Sequence, residues 1–382
     1  MKKILIWLSW WVDSAVAAYL LKQEWYEVTA GFMKNYVAPN GNCTTYEDAE
    51  EAIKVAKFLW IKIISFDLQK EYNEKIINYI YEGYQRWITP NPDVLCNTLI
   101  KFDVFLHKAL EMGFDMIATG HYARIRELKV ESCLSSKEGK LKVKWKKNYK
   151  LLKWLDENKD QSYFLAWLNQ FQLSKSLFPL GELTKPEVRA LAKKIKLPNA
   201  ERKDSQGLCF VGNIPIKDFL EQKLPKKEWD ILDTNGKIVW THDGARFFTL
   251  GQRHGLNLPP DRYVTKIDVK KNIVHVGPRN EDALNKKEVK ITDRHRIGEE
   301  YKTPLKITAK IRYRQIAQPA TLVQSPSSLK SIKSKNKEDL IDLRDLTDLM
   351  TITFDDPQRS IPPGQVAVAY IDDECIGSGI II

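Results

Sequence analysis

The chain has 382 residues, 43% hydrophobic and 29% charged, with a formal net charge of +11. That composition excludes a low-complexity or fibrous chain and suits two or three globular domains, either in an ordinary basic enzyme or beside a polyanionic partner. The five cysteines (Cys43, Cys96, Cys133, Cys209, Cys375) are scattered without CxxC or Cys/His spacing, which argues against a structural zinc site and a disulfide framework and fits a reducing cytosol. No apolar run approaches the ~18 residues of a membrane span, so a cytoplasmic protein without a membrane partner is expected. Asp13 ends the apolar run after Lys2 and Lys3 too early for a signal peptide.

Residues 4–20 read as a buried strand (Ile4 to Leu8), a tight loop (Ser9 to Ser14) and a helix opening at Ser14. A strand running through a loop into a helix N-terminus holds phosphate, because backbone N–H groups converge there and the helix dipole favours negative charge. Ser9, Asp13 and Ser14 supply side-chain polarity. Trp10 and Trp11, however, stand where glycines would let the backbone approach the anion. Residues 1–70 alternate strand and helix (KILIWL, AVAAYLLKQ, YEVTAGFM, DAEEAIKVAKFL, IKIISFDL), which predicts a parallel sheet wrapped by helices. Ligands of such sheets lie beyond the C-terminal strand ends, where Trp7–Ser14 and Met33 fall.

Residues 84–102 predict a proline-punctuated loop and then a helix whose apolar stripe is Leu99, Phe102, Leu106, Ala109 and Leu110. Asp93 is the expected N-cap, placing Cys96 in the first turn, where the dipole would lower a thiol pKa. FDMIATGHYAR reads as a strand closing at Gly120 before His121, and the lysine-rich stretch 129–150 as an exposed hairpin. Short strands and turns from about residue 213 predict a small β-rich module. A second set from about 288 predicts a barrel, interrupted by a polar, flexible insertion at 325–342. The expected domains are 1–212, 213–287 and 288–382.

Tryptophan is abundant (11) and glycine scarce (18). Trp25, Trp60, Trp154 and Trp240 occupy places where a turn residue belongs. Reading Trp7, Trp10, Trp11, Trp25, Trp60, Trp87, Trp154, Trp229 and Trp240 as glycine returns glycine to near its usual share of about 7%. The expectation is a gene from a lineage that reads UGA as glycine. The competing reading is a genuinely tryptophan-rich protein.

The ordered series SxxVDS, GFM, TPNPDxxCNxxIKF, ATGHYAR, NKDQSYFL, RKDSQGLCFVG, GQRHGL, RYRQ and PGQ spans almost the whole chain. It resembles the tRNA-specific 2-thiouridylase family of PP-loop ATP pyrophosphatases. The resemblance implies an α/β, parallel-sheet PP-loop nucleotide-binding domain, followed by a small β-rich central domain and a C-terminal β-barrel. It implies replacement of the 2-carbonyl oxygen of the tRNA wobble uridine by sulfur, with ATP and Mg²⁺ serving adenylation and no protein-ligated metal. Sulfur would arrive as a persulfide from a cysteine desulfurase or a relay protein. Cys209 would carry it, and Cys96 would attack it, leaving a Cys96–Cys209 disulfide.

By the same resemblance Trp7, Leu8, Ser9, Trp10, Trp11, Val12, Asp13, Ser14, Met33 and Gly120 line the ATP site. Asn91, Pro92 and Asp93 contact the base, and His121, Lys159, Asp160, Gln161, Arg312, Tyr313 and Gln365 contact tRNA. Taken literally, Trp10 and Trp11 block the phosphate loop and leave a catalytically inactive tRNA-binding relic; as misread glycine they leave a working enzyme. A small-molecule ligase of the same superfamily has no use for paired cysteines or for the β-rich modules.

Overall fold

The computed structural model describes residues 1–36, 45–135, 141–156, 159–202, 215–324 and 349–382. The first sheet contains β1 (Lys3–Trp7), β2 (Glu27–Lys34), β3 (Lys62–Asp67) and β4 (Met116–Ala118). After the hairpin β5 (Arg124–Ser135) and β6 (Leu141–Leu152) it gains β7 (Ser176–Leu177). Its order is β3-β2-β1-β4-β7, and each of its pairings is parallel. The central strand β1 carries Ile4, Leu5 and Ile6 in sequence, all buried, because helices cover both faces of the sheet.

Helix α1 (Val12–Gln23) packs Val12, Ala15, Val16, Ala18 and Leu21 into the same core as Ile4 and Ile6. It begins two residues earlier than the expected start at Ser14. Helical geometry at Val12 buries that side chain, and Ser14 sits inside the first turn with its hydroxyl turned back toward the loop. Helix α2 (Thr45–Phe58) follows β2 and leads into β3.

The central module is a four-stranded sheet of β8 (Trp229–Leu232), β9 (Ile238–His242), β10 (Tyr263–Asp268) and β11 (Ile273–Gly277), in the order β10-β11-β8-β9. The C-terminal strands are β12 (Asn285–Arg296), β13 (Leu305–Lys310), β14 (Gln318–Gln324), β15 (Met350–Arg359), β16 (Val366–Ile371) and β17 (Glu374–Ile381). They run β12-β15-β14-β13-β16-β17, and β17 pairs back onto β12, so the six strands close into the expected barrel. Closure removes the sheet edges that would otherwise invite further pairing. The lysine-rich stretch forms the hairpin β5–β6, joined to the barrel through β6 and β17. The insertion at 325–342 lies outside the described residues.

The barrel and the parallel-sheet domain share one core, in which Tyr163, Leu165 and Ala166 pack with Val366, Val368, Tyr370 and Cys375. Among the described residues, no helix is long and apolar enough to cross a membrane.

Candidate nucleotide and tRNA site

The turn from β1 to α1 is organised by its two serines. The Ser9 N–H donates to Ser14 Oγ (3.1 Å), the two hydroxyls share a hydrogen bond (2.9 Å), and Ser14 Oγ also donates to Ser9 O and Trp11 O (each 3.1 Å). Leu8 is buried and its N–H reaches Gly31 O on β2 (3.0 Å); Met33, two residues further along β2, is buried as well. Asp13 receives Lys185 Nζ at 2.6 and 2.9 Å and the Tyr122 hydroxyl at 2.7 Å, so the loop is tied to the start of the helix Lys185–Lys194. Lys185 lies 172 residues away, and its part in the site has no local signal.

Gly120 closes the opposite wall. A Cβ there would stand 2.7 Å from Ser14 N and 2.8 Å from the Asp13 carbonyl carbon, so only glycine permits this approach. Trp7, at the end of β1, carries Lys101 Nζ 4.1 Å from its ring centroid and lies 6.4 Å from the His121 ring. Lys101 is a buried cation beside the loop that the sequence reading passed over.

The residues present do not fit a triphosphate. Trp10 and Trp11 pack ring on ring (centroids 3.6 Å apart) in the turn, and Arg202 lies over Trp10 at 3.9 Å. The serine hydroxyls bond to each other rather than facing outward. Among the described residues, no group of three or more His, Cys, Asp or Glu could hold a metal ion.

The proline-punctuated segment corrects one expectation. The N-cap is Asn91, whose side chain accepts the Val94 N–H (3.3 Å), with Pro92 at the first helical position; Asp93 falls within the first turn. A proline needs no hydrogen-bond partner at that position, so the cap belongs to the residue before it. Cys96 consequently lies past the first turn, where the dipole effect fades, and it opens a π-helical stretch, Cys96–Val104. Cys96 is completely buried. In the expected apolar stripe Phe102, Leu106 and Ala109 are buried, while Leu99 and Leu110 are partly so.

Asn91 also joins the barrel. Its Nδ2 donates to Gln365 Oε1 (3.3 Å) and to the Tyr163 hydroxyl (3.4 Å), and Gln365 Nε2 donates to Thr89 O (2.9 Å) and Pro90 O (3.3 Å). The fold thus unites two expected site residues 274 positions apart. Beside them Tyr313 packs on Phe164 (4.3 Å), and burial pushes its hydroxyl pKa up to about 12. The Arg312 guanidinium donates to Arg359 O, and burial, then the neighbouring Arg359, lowers its pKa.

Three other expected tRNA contacts, the side chains of Asp160, Gln161 and His121, bond within the fold. Asp160 is buried, paired with Lys310 Nζ at 2.8 Å, and accepts from Trp154 N (3.0 Å), Ser162 N (3.1 Å) and Ser162 Oγ (2.9 Å). Gln161 Oε1 accepts the Tyr122 N–H (2.9 Å), and the Lys159 N–H donates to Asp156 O (3.1 Å). His121 is buried with Nδ1 2.7 Å from Thr119 Oγ1; burial, and secondarily the Lys101 charge, hold it well below the usual histidine pKa. Cys209 lies outside the described residues.

A phosphate-loop junction on a parallel sheet, with a small β module and a closed barrel attached, defines a nucleotide-binding domain of HUP type that carries two β domains. The description "tRNA methyl transferase HUP domain" matches residues 2–213, "tRNA methyl transferase PRC-barrel domain" residues 217–278, and "Aminomethyltransferase beta-barrel domain" residues 332–381. The chain is 39% identical to the tRNA-specific 2-thiouridylase MnmA of Flavobacterium johnsoniae, over 100% of both proteins. It is 38% identical to that of Lactiplantibacillus plantarum, over 99% of this chain and 95% of the relative. This chain belongs to the tRNA-specific 2-thiouridylase family. Among solved structures, the U34-tRNA thiolase NcsA of Methanococcus maripaludis aligns with 55% of this chain and 62% of that chain at 16% identity, TM-score 0.35, a likeness too slight to argue from.

Proposed function

We propose that this protein replaces the 2-carbonyl oxygen of the tRNA wobble uridine by sulfur in the cytoplasm. The observation that carries the reading is full-length identity to relatives named for that activity. ATP use fits the HUP-domain match, and Mg²⁺ belongs with it in this reading. The boundaries 1–212, 213–287 and 288–382 belong to the same proposal. The net charge of +11 suits contacts to RNA phosphates.

In this reading Cys209 carries a persulfide received from a cysteine desulfurase or a relay protein. The Cys96 thiolate attacks the Cys209 sulfur, the Cys96–Cys209 disulfide forms, and the terminal sulfur leaves as hydrosulfide; a thiol reductant then resets the pair. Gln365 and Tyr163 hold Asn91, the cap of the segment that leads to Cys96, so the barrel positions the thiol's own helix. Because Cys96 is buried, its reaction requires a movement that exposes the sulfur.

The test is tRNA thiolation, read by nucleoside mass spectrometry, with Cys96→Ser and Cys209→Ser in a chain carrying glycine at positions 10 and 11. Loss of thiolation in both, with tRNA binding retained, supports the reading; thiolation surviving in either removes the cysteine chemistry. Salt-dependent tRNA binding without thiolation, in protein from its own cells that carries tryptophan at positions 10 and 11, would favour the relic.

A further inference from the structure

Among the described residues three helices end in the same way on a tryptophan, and the helix Lys185–Lys194 shares that ending with Lys196 (φ 57°) at the same position. After α1 the Trp25 N–H donates to Lys22 O (3.2 Å) and the Tyr26 N–H to Leu21 O (3.2 Å). After α2 Trp60 reaches Lys57 O (3.1 Å) and Ile61 reaches Ala56 O (3.0 Å). After the helix Asn78–Gln85, Trp87 reaches Tyr84 O (3.3 Å) and Ile88 reaches Gly83 O (2.9 Å). This pair of bonds is the Schellman ending, which requires a left-handed residue at the position each tryptophan occupies and is usually filled by glycine. The backbone complies, with φ of 62°, 54° and 60°.

The helix Phe105–Glu111 supplies the comparison within the same chain. Its end has the same two bonds, Gly113 N–H to Leu110 O and Phe114 N–H to Ala109 O (each 3.0 Å), and the left-handed residue is glycine, φ 84°. Among the described residues the other non-glycine positions with positive φ hold Lys, Asn, Asp or Ser. Those side chains are small or polar, or reach freely into water. The Trp25 and Trp60 indoles have no comparable gain, being 82% and 90% exposed, whereas Trp87 is partly buried against the central module with Arg246 5.3 Å from its ring centroid.

Position in the fold also separates the tryptophans from one another. Trp10 and Trp11 fill the turn where α1 begins. Trp154 is different: it is buried, its indole N–H donates to Leu183 O (2.9 Å), and its backbone does not call for glycine. Trp229 and Trp240 sit half exposed on paired strands, where no left-handed backbone is required.

We propose that positions 10, 11, 25, 60 and 87 are glycine in the protein as its own cell makes it, encoded by UGA codons that the cell reads as glycine. Positions 25, 60 and 87 follow from the helix ends and stand without the thiolation reading; positions 10 and 11, whose backbone is not left-handed, rest on the phosphate-loop geometry alone. Glycine at 10 and 11 removes both indoles from the turn and opens the start of α1 to an anion, which resolves the misfit with a nucleotide.

Two measurements test this: the codons of the gene, and peptide mass spectrometry of the protein purified from the organism that carries it. The expected result is UGA at all five codons and glycine in the peptides covering residues 4–26, 58–62 and 84–90. Tryptophan at 25 and 60, or UGG at those codons, overturns the proposal. Glycine at 25, 60 and 87 with tryptophan at 10 and 11 overturns its phosphate-loop half. Glycine throughout, in a protein that does not thiolate tRNA, would leave this inference standing and remove the thiolation reading alone.

Discussion

Replacing Trp60 by glycine is expected to stabilise the parallel-sheet domain, against the usual rule that losing a large apolar side chain weakens a fold. The indole is 90% exposed and contributes almost no buried area, so little packing is lost. Its left-handed backbone (φ 54°) costs a residue with a Cβ about 1–2 kcal/mol, which glycine does not incur. Glycine in turn loses roughly 0.5–1 kcal/mol through its greater freedom in the unfolded chain. The difference is a net gain of roughly 0–1.5 kcal/mol, centred on about 0.75 kcal/mol. Urea unfolding at unchanged m-value should show it as a higher midpoint. Trp60→Ala is the necessary companion, because it removes the same indole and keeps the backbone strain; its midpoint should stay at the parent value. Trp25→Gly should behave alike, but Lys22 Nζ bonds Leu59 O and links the two helix ends, so the pair should be measured separately before being combined. An unchanged or lower midpoint for Trp60→Gly, or an equal gain for alanine, would refute the reasoning.

Gly120→Ala should destabilise by about 1–3 kcal/mol, because the added carbon meets the backbone of Asp13 and Ser14 rather than a yielding side chain; a parental thermal midpoint would show that the wall can give way. Lys310→Met strands the buried Asp160 carboxylate and should cost about 3–5 kcal/mol, with much of the loss recovered on adding Asp160→Asn; denaturation of the two variants decides. His121, His242, His275 and His295 all sit below the ordinary histidine value, burial being the first cause in each. The unfolded chain therefore binds more protons than the folded one once pH drops below about 6.5, and stability should fall on acidification from there. Equal urea midpoints at pH 7 and pH 5.5 would contradict that sign.

The alternation of short apolar strands with amphipathic helices was enough to place the parallel sheet, the phosphate-loop junction and the barrel, because these depend on local periodicity and on which faces must be buried. The glycine-like places of Trp25 and Trp60 were also legible, since a helix running through one residue into a strand needs a tight reversal. Asn91 rather than Asp93 as the cap was within reach of sequence rules, through Pro92 at the first helical position, and was misassigned. Other features had no local trace. Asp160 meets Lys310 across 150 residues and Asn91 meets Gln365 across 274, and only the docking of the barrel onto the parallel-sheet domain creates those pairs. A polar residue in the sequence shows what it can bond to. Which partner it receives, and whether it faces RNA or the interior, is decided when distant segments pack and each buried polar group must be satisfied.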